Sequence, residues 1–497
     1  MPAKVDDSTL TRRRILHGAG GLIAAAAFPT GAAASALPRQ LSSTPTAAAN
    51  VTARLARYMV EARDLKLPPQ VEREAKHRIL DTLAAMVSGA RLLPGEMAIR
   101  YVRAQGGVAE ASVLTTDIRT SAVNAALANG MFGHADETDD FEPITKAHPG
   151  CAVVPAALAM AERDGRSGTE LLRAVALGYD VCCRFLLALG PDHVRATHRS
   201  AEGTSATFGS TAAAASLARL DEKGMRYALS YAAQQVSGIW SWTRDTEHIE
   251  KAFDFGGMGA RNGVTAAIMA QIGFTGVADV LDGEHNMLEA LSTQPNPGEM
   301  VAALGSRFFV TETAIKTFSV GYPIQAALDA FLTLRREHGL TVGNVDRIVV
   351  RLPEDGAAIV DNRSMPDVNC QYIIAVALLD GTVSFADSHS HERMQDPQVL
   401  AAKQRVQLVA DPALMTPDAP RSGRVEVTLR DGRTVSHFTR HPPGTKENPL
   451  ETAGVNEKAR SLMVPVFGAG RTEALIARVN QLEAVSNVRD LRPLLTL

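Results

Sequence analysis

The strongest constraint on the fold is a succession of helix-period segments whose inward positions are Ala, Gly and Ser. TSAVNAALANGMFGH (120–134), VVPAALAMAERDG (153–165), GTELLRAVALGYDVCCRFLLALG (168–190), GSTAAAASLARL (209–220), MRYALSYAAQQVSGIW (225–240) and NGVTAAIMAQIGF (262–274) all share this character. Small side chains let helix axes approach closely, and no fixed repeat period runs through the chain, so a compact bundle is expected in preference to a solenoid. Earlier, Pro68-Pro69 opens a segment in which Val71, Ala75, Ile79, Leu83 and Met86 recur at helical spacing before Gly89, predicting an amphipathic helix.

The pattern changes after about residue 340. VDRIVVRLP (345–353) alternates as a strand does, RVQLVAD (405–411) is a short β-branched run, and RVEVTLRDGRTVSHFTR (424–440) is two alternating arms around Asp431-Gly432, which predicts a type I′ hairpin. QYIIAVALLDG (371–381) reads equally as a helix or a buried strand. TEALIARVNQLEAV (472–485) is helical again. A chain of 497 residues exceeds the roughly 250–300 at which one core stops growing. The expected architecture is therefore mainly α: an all-helical bundle domain over 51–315, completed by helices from 450–497, plus a smaller α+β lid domain over 316–449.

The N-terminus reads separately. Thr11-Arg12-Arg13-Arg14 precedes the short apolar run GAGGLIAAAAF and then Ala34-Ser35-Ala36, in the order of a twin-arginine export signal over 1–36. LPRQLSSTPTAAAN (37–50) follows as a linker. This predicts a periplasmic protein with no membrane attachment once the signal is removed. Cys151, Cys182, Cys183 and Cys370 show no disulfide-framework spacing. A formal net charge of -3 without a long basic run gives no footprint for nucleic acid and favours a small substrate.

One stretch draws chemical attention. HADETDDFEPITKAHPG (134–150) places Asp136, Glu137, Asp139, Asp140 and Glu142 between His134 and His148. Three readings stand: a cage for a hard cation, an acid/base site, or a solvated acidic loop. No zinc or calcium ligand signature is met, so no metal is expected. His148-Pro149-Gly150 leads straight into an apolar helix, which argues for a histidine held in place.

HADETDDFEPITKAHPGCAVVPAALAMAE resembles the signature of the MmgE/PrpD family, which includes 2-methylcitrate dehydratases, cis-aconitate decarboxylases and iminodisuccinate epimerases. HRILDTLAAMVSG (77–89), EKAFDFGGMGARNGVTAAIMAQIGFTG (250–276) and KTFSVGYPIQAALDA (316–330) carry the resemblance onward in the same order. It implies a helical domain and an α+β lid with the active site between them, a homodimer, no cofactor, and a small polycarboxylate substrate deprotonated or reprotonated beside a carboxylate. His148 matches the family's HPG or HPS histidine, a candidate acid/base. Asp139 and Asp140 match its paired aspartates, and Glu137 falls near the first aspartate of that run. Their implied role is to orient and polarise His148 or a lysine, with the alternative that one of them is the base itself. Lys251 and Lys316 match motif lysines and are candidate carboxylate anchors.

Two departures accompany the match. Arg199-Ser200 stands where dehydratase and decarboxylase members carry a histidine, with His198 nearby as a candidate to reach the same space. Gly321-Tyr322 stands where a second histidine is placed, with Tyr322 a candidate proton donor. The expected activity is a cofactor-free lyase or isomerase of the dehydratase or decarboxylase type. The alternatives are an epimerase or racemase of a dicarboxylate, and a non-catalytic periplasmic carboxylate-binding protein.

Overall fold

The computed structural model describes residues 50–497. The export signal read at 1–36, and the linker through residue 49, lie outside the described residues. The fold is mainly α with a smaller α+β portion.

The helical part is built from Pro69–Gly89, Ala122–His134, Gly150–Asp164, Gly168–Leu189, Ala201–Leu217 and Met258–Gln271, with shorter helices around them. Ala201–Leu217 lies at its centre and is buried along nearly its whole length. The small residues explain how: a methyl group added at Gly263 would stand 2.4 Å from Ser210 Cβ, so the two backbones touch only because that side chain is missing. The C-terminal segment Thr452–Asn480 is two helical stretches meeting at Gly468, whose φ of 74° breaks the helix. It packs along Pro69–Gly89 and adds Val455, Ala459, Leu462 and Leu475 to the helical core.

The α+β part is a four-stranded sheet in the order Val406–Ala410, Val345–Leu352, Gly423–Leu429, Thr434–Thr439. The first pair is parallel, with Ile348 opposite Val406, and the others are antiparallel. Helices Gln325–His338 and Cys370–Asp380 share the second hydrophobic core with the sheet. The ambiguous 371–381 segment is helical because its ends are capped: the Asn369 side chain accepts from Tyr372 N–H, and Gly381 takes the left-handed conformation at φ 83°.

The hairpin forms, but its turn is not type I′. Only Gly432 has positive φ (87°), Gly432 N–H donates to Leu429 O at 3.0 Å and Leu429 N–H to Arg433 O at 2.8 Å, giving a three-residue loop. The Asp431 carboxylate accepts from Arg433 N–H at 3.0 Å, and that local bond holds Asp431 out of the left-handed region.

Among the described residues no helix is long and apolar enough to cross a membrane. All four cysteines are buried and unpaired.

Candidate active site

The acidic stretch is a buried network. Helix Ala122–His134 delivers the chain inward, and helix Gly150–Asp164 carries it away. Between them Asp136, Glu137, Asp139 and Asp140 are at most 3% exposed, which excludes the solvated loop. Buried carboxylates must be bonded or protonated, and this segment uses both solutions. Ser88 Oγ donates to Asp136 at 2.5 Å and Thr138 N–H at 3.2 Å, but burial still pushes the Asp136 carboxyl up to about 7. Glu137 and Asp139 behave oppositely. Burial pushes each up, yet Lys251, Lys316 and His134 around Glu137, and His134, Lys316 and His148 around Asp139, hold both well below the usual carboxylate range.

Lys316 is fully buried, and its ammonium donates to Glu137 O at 2.7 Å and to Glu137 Oε2 and Asp139 Oδ1 at 3.3 Å each. Those bonds use the three donors a lysine has. Lys316 therefore has none left for a substrate, and its expected role as a carboxylate anchor is corrected to that of a buried counter-ion. Phe141 exchanges backbone hydrogen bonds with Ala314, which fixes the segment leading to Lys316 against the acidic stretch.

Lys251 ion-pairs with Glu137 Oε1 and lies 5.1 Å from the Trp242 ring centroid. Its position follows from an unusual local backbone. The helix Ile249–Ala252 passes into a single widened, π-type turn at Phe253–Gly257, a distortion often found at functional sites. Gly256 there comes so close to Gly130 that no side chain would fit between them.

His148 Nδ1 lies 3.0 Å from Asp139 Oδ2. An ionised carboxylate only accepts, so Nδ1 carries the proton and Nε2 presents its lone pair. Burial, partly offset by Asp139, lowers the His148 pKa to about 4. His148 lines a cleft with Glu137, Phe141, Lys251, Phe255 and Tyr322. Tyr322 stacks near Phe141 at 4.3 Å between centroids, and burial pushes its phenol pKa up.

The other expected residues sit differently. Asp140 does not touch His148: it accepts from Gly150 N–H at 2.9 Å and so pins the turn that carries His148. Ser200 caps helix Ala201–Leu217, accepting from Gly203 N–H at 3.1 Å, and its hydroxyl contacts Asp254 and Glu202. His198 is exposed, with φ 59°, and does not line the cleft; Arg199 does. The backbone turns at His198, so the side chain that enters the cleft is the next one.

Residues given no catalytic or substrate-binding role from the sequence complete the site. His134 lies 3.0 Å from both oxygens of Asp139, and Asp139 and Glu137 raise its pKa against the effect of burial. His248 Nε2 faces Glu137 Oε1 at 3.6 Å. Lys146, Arg195, Glu202 and Arg421 line the cleft. Lys146 stood inside the same quoted stretch, but Arg195 and Arg421 carry no local signal.

Two triples, His134 with Glu137 and His248, and His134 with Asp139 and His148, bring ligand atoms close enough to hold a cation. In both, the carboxylate already has an ammonium on it, Lys251 and Lys316 on Glu137 and Lys316 on Asp139. Lysine supplies the positive charge that the carboxylates require.

A mainly helical framework is joined to an α+β unit, and a histidine held by aspartate lies in a cleft that lysine and arginine also line. Residues 53–300 match the MmgE/PrpD N-terminal domain and residues 318–484 its C-terminal domain, and the chain belongs to the MmgE/PrpD family. It is 26% identical to a cis-aconitate decarboxylase-like protein of Aspergillus oryzae, over 90% of this chain and 97% of that one. It is 27% identical to the human cis-aconitate decarboxylase, over 86% of this chain and 91% of the relative. With the cis-aconitate decarboxylase of Aspergillus terreus it shares 24% identity, over 92% and 97%.

Proposed function

We propose that the protein is a lyase-type enzyme that moves a proton at a carbon beside a carboxylate of a small di- or tricarboxylate, with His148 as the acid/base. The observation that carries this reading is the Asp139–His148 pair in the cleft, at 3.0 Å. With a pKa near 4 the imidazole is neutral at ordinary pH, so Nε2 begins as an acceptor. It takes the C–H proton, and the electron pair of that bond moves toward the adjacent carboxylate. From there it either expels a neighbouring leaving group, as in dehydration, or returns to take a proton back. In decarboxylation the order is reversed: the C–COO bond breaks, CO₂ leaves, its electron pair stays on carbon, and carbon takes a proton from His148 in its protonated form. Lys251 and Arg199 supply positive charge in the cleft to the carboxylate and its enolate-like form. Tyr322, held protonated, is a candidate donor to a leaving group.

The test is turnover of a panel of hydroxy, unsaturated and amino di- and tricarboxylates in D₂O. Changing His148 to Ala should lower turnover by about 10²–10⁴-fold with the fold intact by circular dichroism. An undiminished rate in that variant rules out His148 as the acid/base.

A second reading is epimerisation or racemisation of a dicarboxylate. It is favoured by a neutral His148 and by Arg199-Ser200 and Gly321-Tyr322 at the two places where histidines are expected. Deuterium entering the α position without an unsaturated or decarboxylated product would select it.

A further inference from the structure

One wall of the cleft carries a charge imbalance that proton transfer at His148 does not use. Arg421 Nη1 donates to both oxygens of Asp355, at 2.7 and 2.8 Å, and to Pro420 O at 2.9 Å. Arg195 Nη1 donates to Asp355 Oδ2 at 3.0 Å, its guanidinium lying over the Trp240 ring. Among the described residues Lys146 makes no carboxylate ion pair, and its hydrogen bond goes to Pro143 O at 2.7 Å. Glu142, the other acid near Lys146, is occupied within its own loop, accepting from Thr145 N–H at 2.6 Å, Thr145 Oγ1–H at 2.5 Å and Ile144 N–H at 3.2 Å. Asp355 is thus the carboxylate that Arg195 and Arg421 share, and Lys146 stands beside them without an ion pair of its own.

Two further costs gather at the same place. Arg421 is 6% exposed and its buried Nε has no partner, a desolvated donor left unsatisfied. Lys146 holds φ 67°, a conformation that disfavours residues other than Gly, Asn and Asp. An anion placed among these groups would accept from the free donors and relieve the repulsion between the cations.

We infer that Lys146, Arg195 and Arg421 form a subsite for a second, distal carboxylate of the substrate, and that Lys146 is its specificity-determining residue. This rests on the polycarboxylate reading above. Arg195 and Arg421 are already fixed by Asp355, whereas the Lys146 ammonium is the cation free to turn to a ligand. Burial, then Arg421 and Arg195, lower the Lys146 pKa to about 7 against the opposing pull of Asp355 and Glu142. A bound carboxylate adds negative charge and draws a proton onto the amine.

The experiment is titration calorimetry on the full chain with tricarballylate, an unreactive tricarboxylate, and with succinate. Lys146→Met should weaken tricarballylate binding by about 10–100-fold, the worth of one charge-assisted hydrogen bond, and change succinate binding far less. Wild type should take up protons on binding at pH 7.5, read as a dependence of the heat on the buffer's ionisation enthalpy, and Lys146→Met should not. Arg195→Gln serves as the second variant and should also weaken tricarballylate. An unchanged tricarballylate affinity in Lys146→Met, or no binding of tricarballylate to wild type, overturns the subsite. Failure of the functional reading looks different: no compound exchanges deuterium, while tricarballylate still binds in a Lys146-dependent way.

Discussion

Two groups of charges face one cleft, and they are built on opposite rules. Around Glu137 and Asp139 the charges are matched by contact: Lys316, Lys251 and His134 are each in an ion pair with one of the two carboxylates, and both acids stay ionised although buried. Around Asp355 the charges are unmatched: Arg195 and Arg421 share one carboxylate, Lys146 pairs with none among the described residues, and Arg421 Nε is unsatisfied. A matched cluster gains less from a ligand, so its main effect is to hold geometry, above all the ring orientation and tautomer of His148, with Lys251 the cation it presents to the cleft. An unmatched one gains from every anion that enters. The difference separates the part of the site that acts on a bond from the part that selects what is bound.

The comparison breaks first at Lys316. If the matched cluster is structural, Lys316→Met leaves Glu137 and Asp139 buried with one fewer cation, and removing one partner of a buried pair costs about 3–5 kcal/mol. Urea denaturation of the variant should show a loss of that size. A loss below about 1 kcal/mol, the scale of surface ion pairs, would show that the cluster is not held by charge matching.

How much of this was legible in the sequence follows the distance between partners along the chain. Asp139, Asp140 and His148 stand within one short stretch, so their association could be read from spacing. Their true relations could not: Asp139 bonds His148, whereas Asp140 bonds the backbone of Gly150. Lys316 was recognisable only as a motif lysine, because the acids that consume its donors lie 177 and 179 residues away. His198 was expected to point into the cleft and does not, since a side chain's direction on an irregular segment depends on backbone angles that composition does not encode. Arg421 and Asp355 meet across 66 residues of the α+β unit, with no pattern to announce them. Helices and strands were easier, because their periodicity is local. Where periodicity failed, at 371–381, the deciding signals were Asn369 and Gly381 on either side.

Another pair of acids sharpens the rule, with a smaller effect. Asp254 and Glu202 both contact the Ser200 hydroxyl, and among the described residues neither ion-pairs with a cation. One hydroxyl hydrogen cannot serve two carboxylates, so the remaining acid is better off protonated. Burial, reinforced by Glu202 and opposed by the Ser200 hydrogen bond, raises the Asp254 carboxyl pKa to about 8. In the unfolded chain it returns to about 3.9. A raised folded pKa means that the native state binds more protons, so the associated stability is full below about pH 4 and is lost as pH rises through 8. Asp254→Asn removes that titration while keeping the shape of the protonated acid. The variant's stability relative to wild type should therefore be higher at pH 8.5 than at pH 7, by on the order of 1–2 kcal/mol, each pH unit below the folded pKa being worth about 1.4 kcal/mol. Thermal unfolding at the two pH values measures it. A difference that does not change with pH would mean that Asp254 is ionised like Glu137, and that a cation is not what keeps a buried acid charged in this cleft.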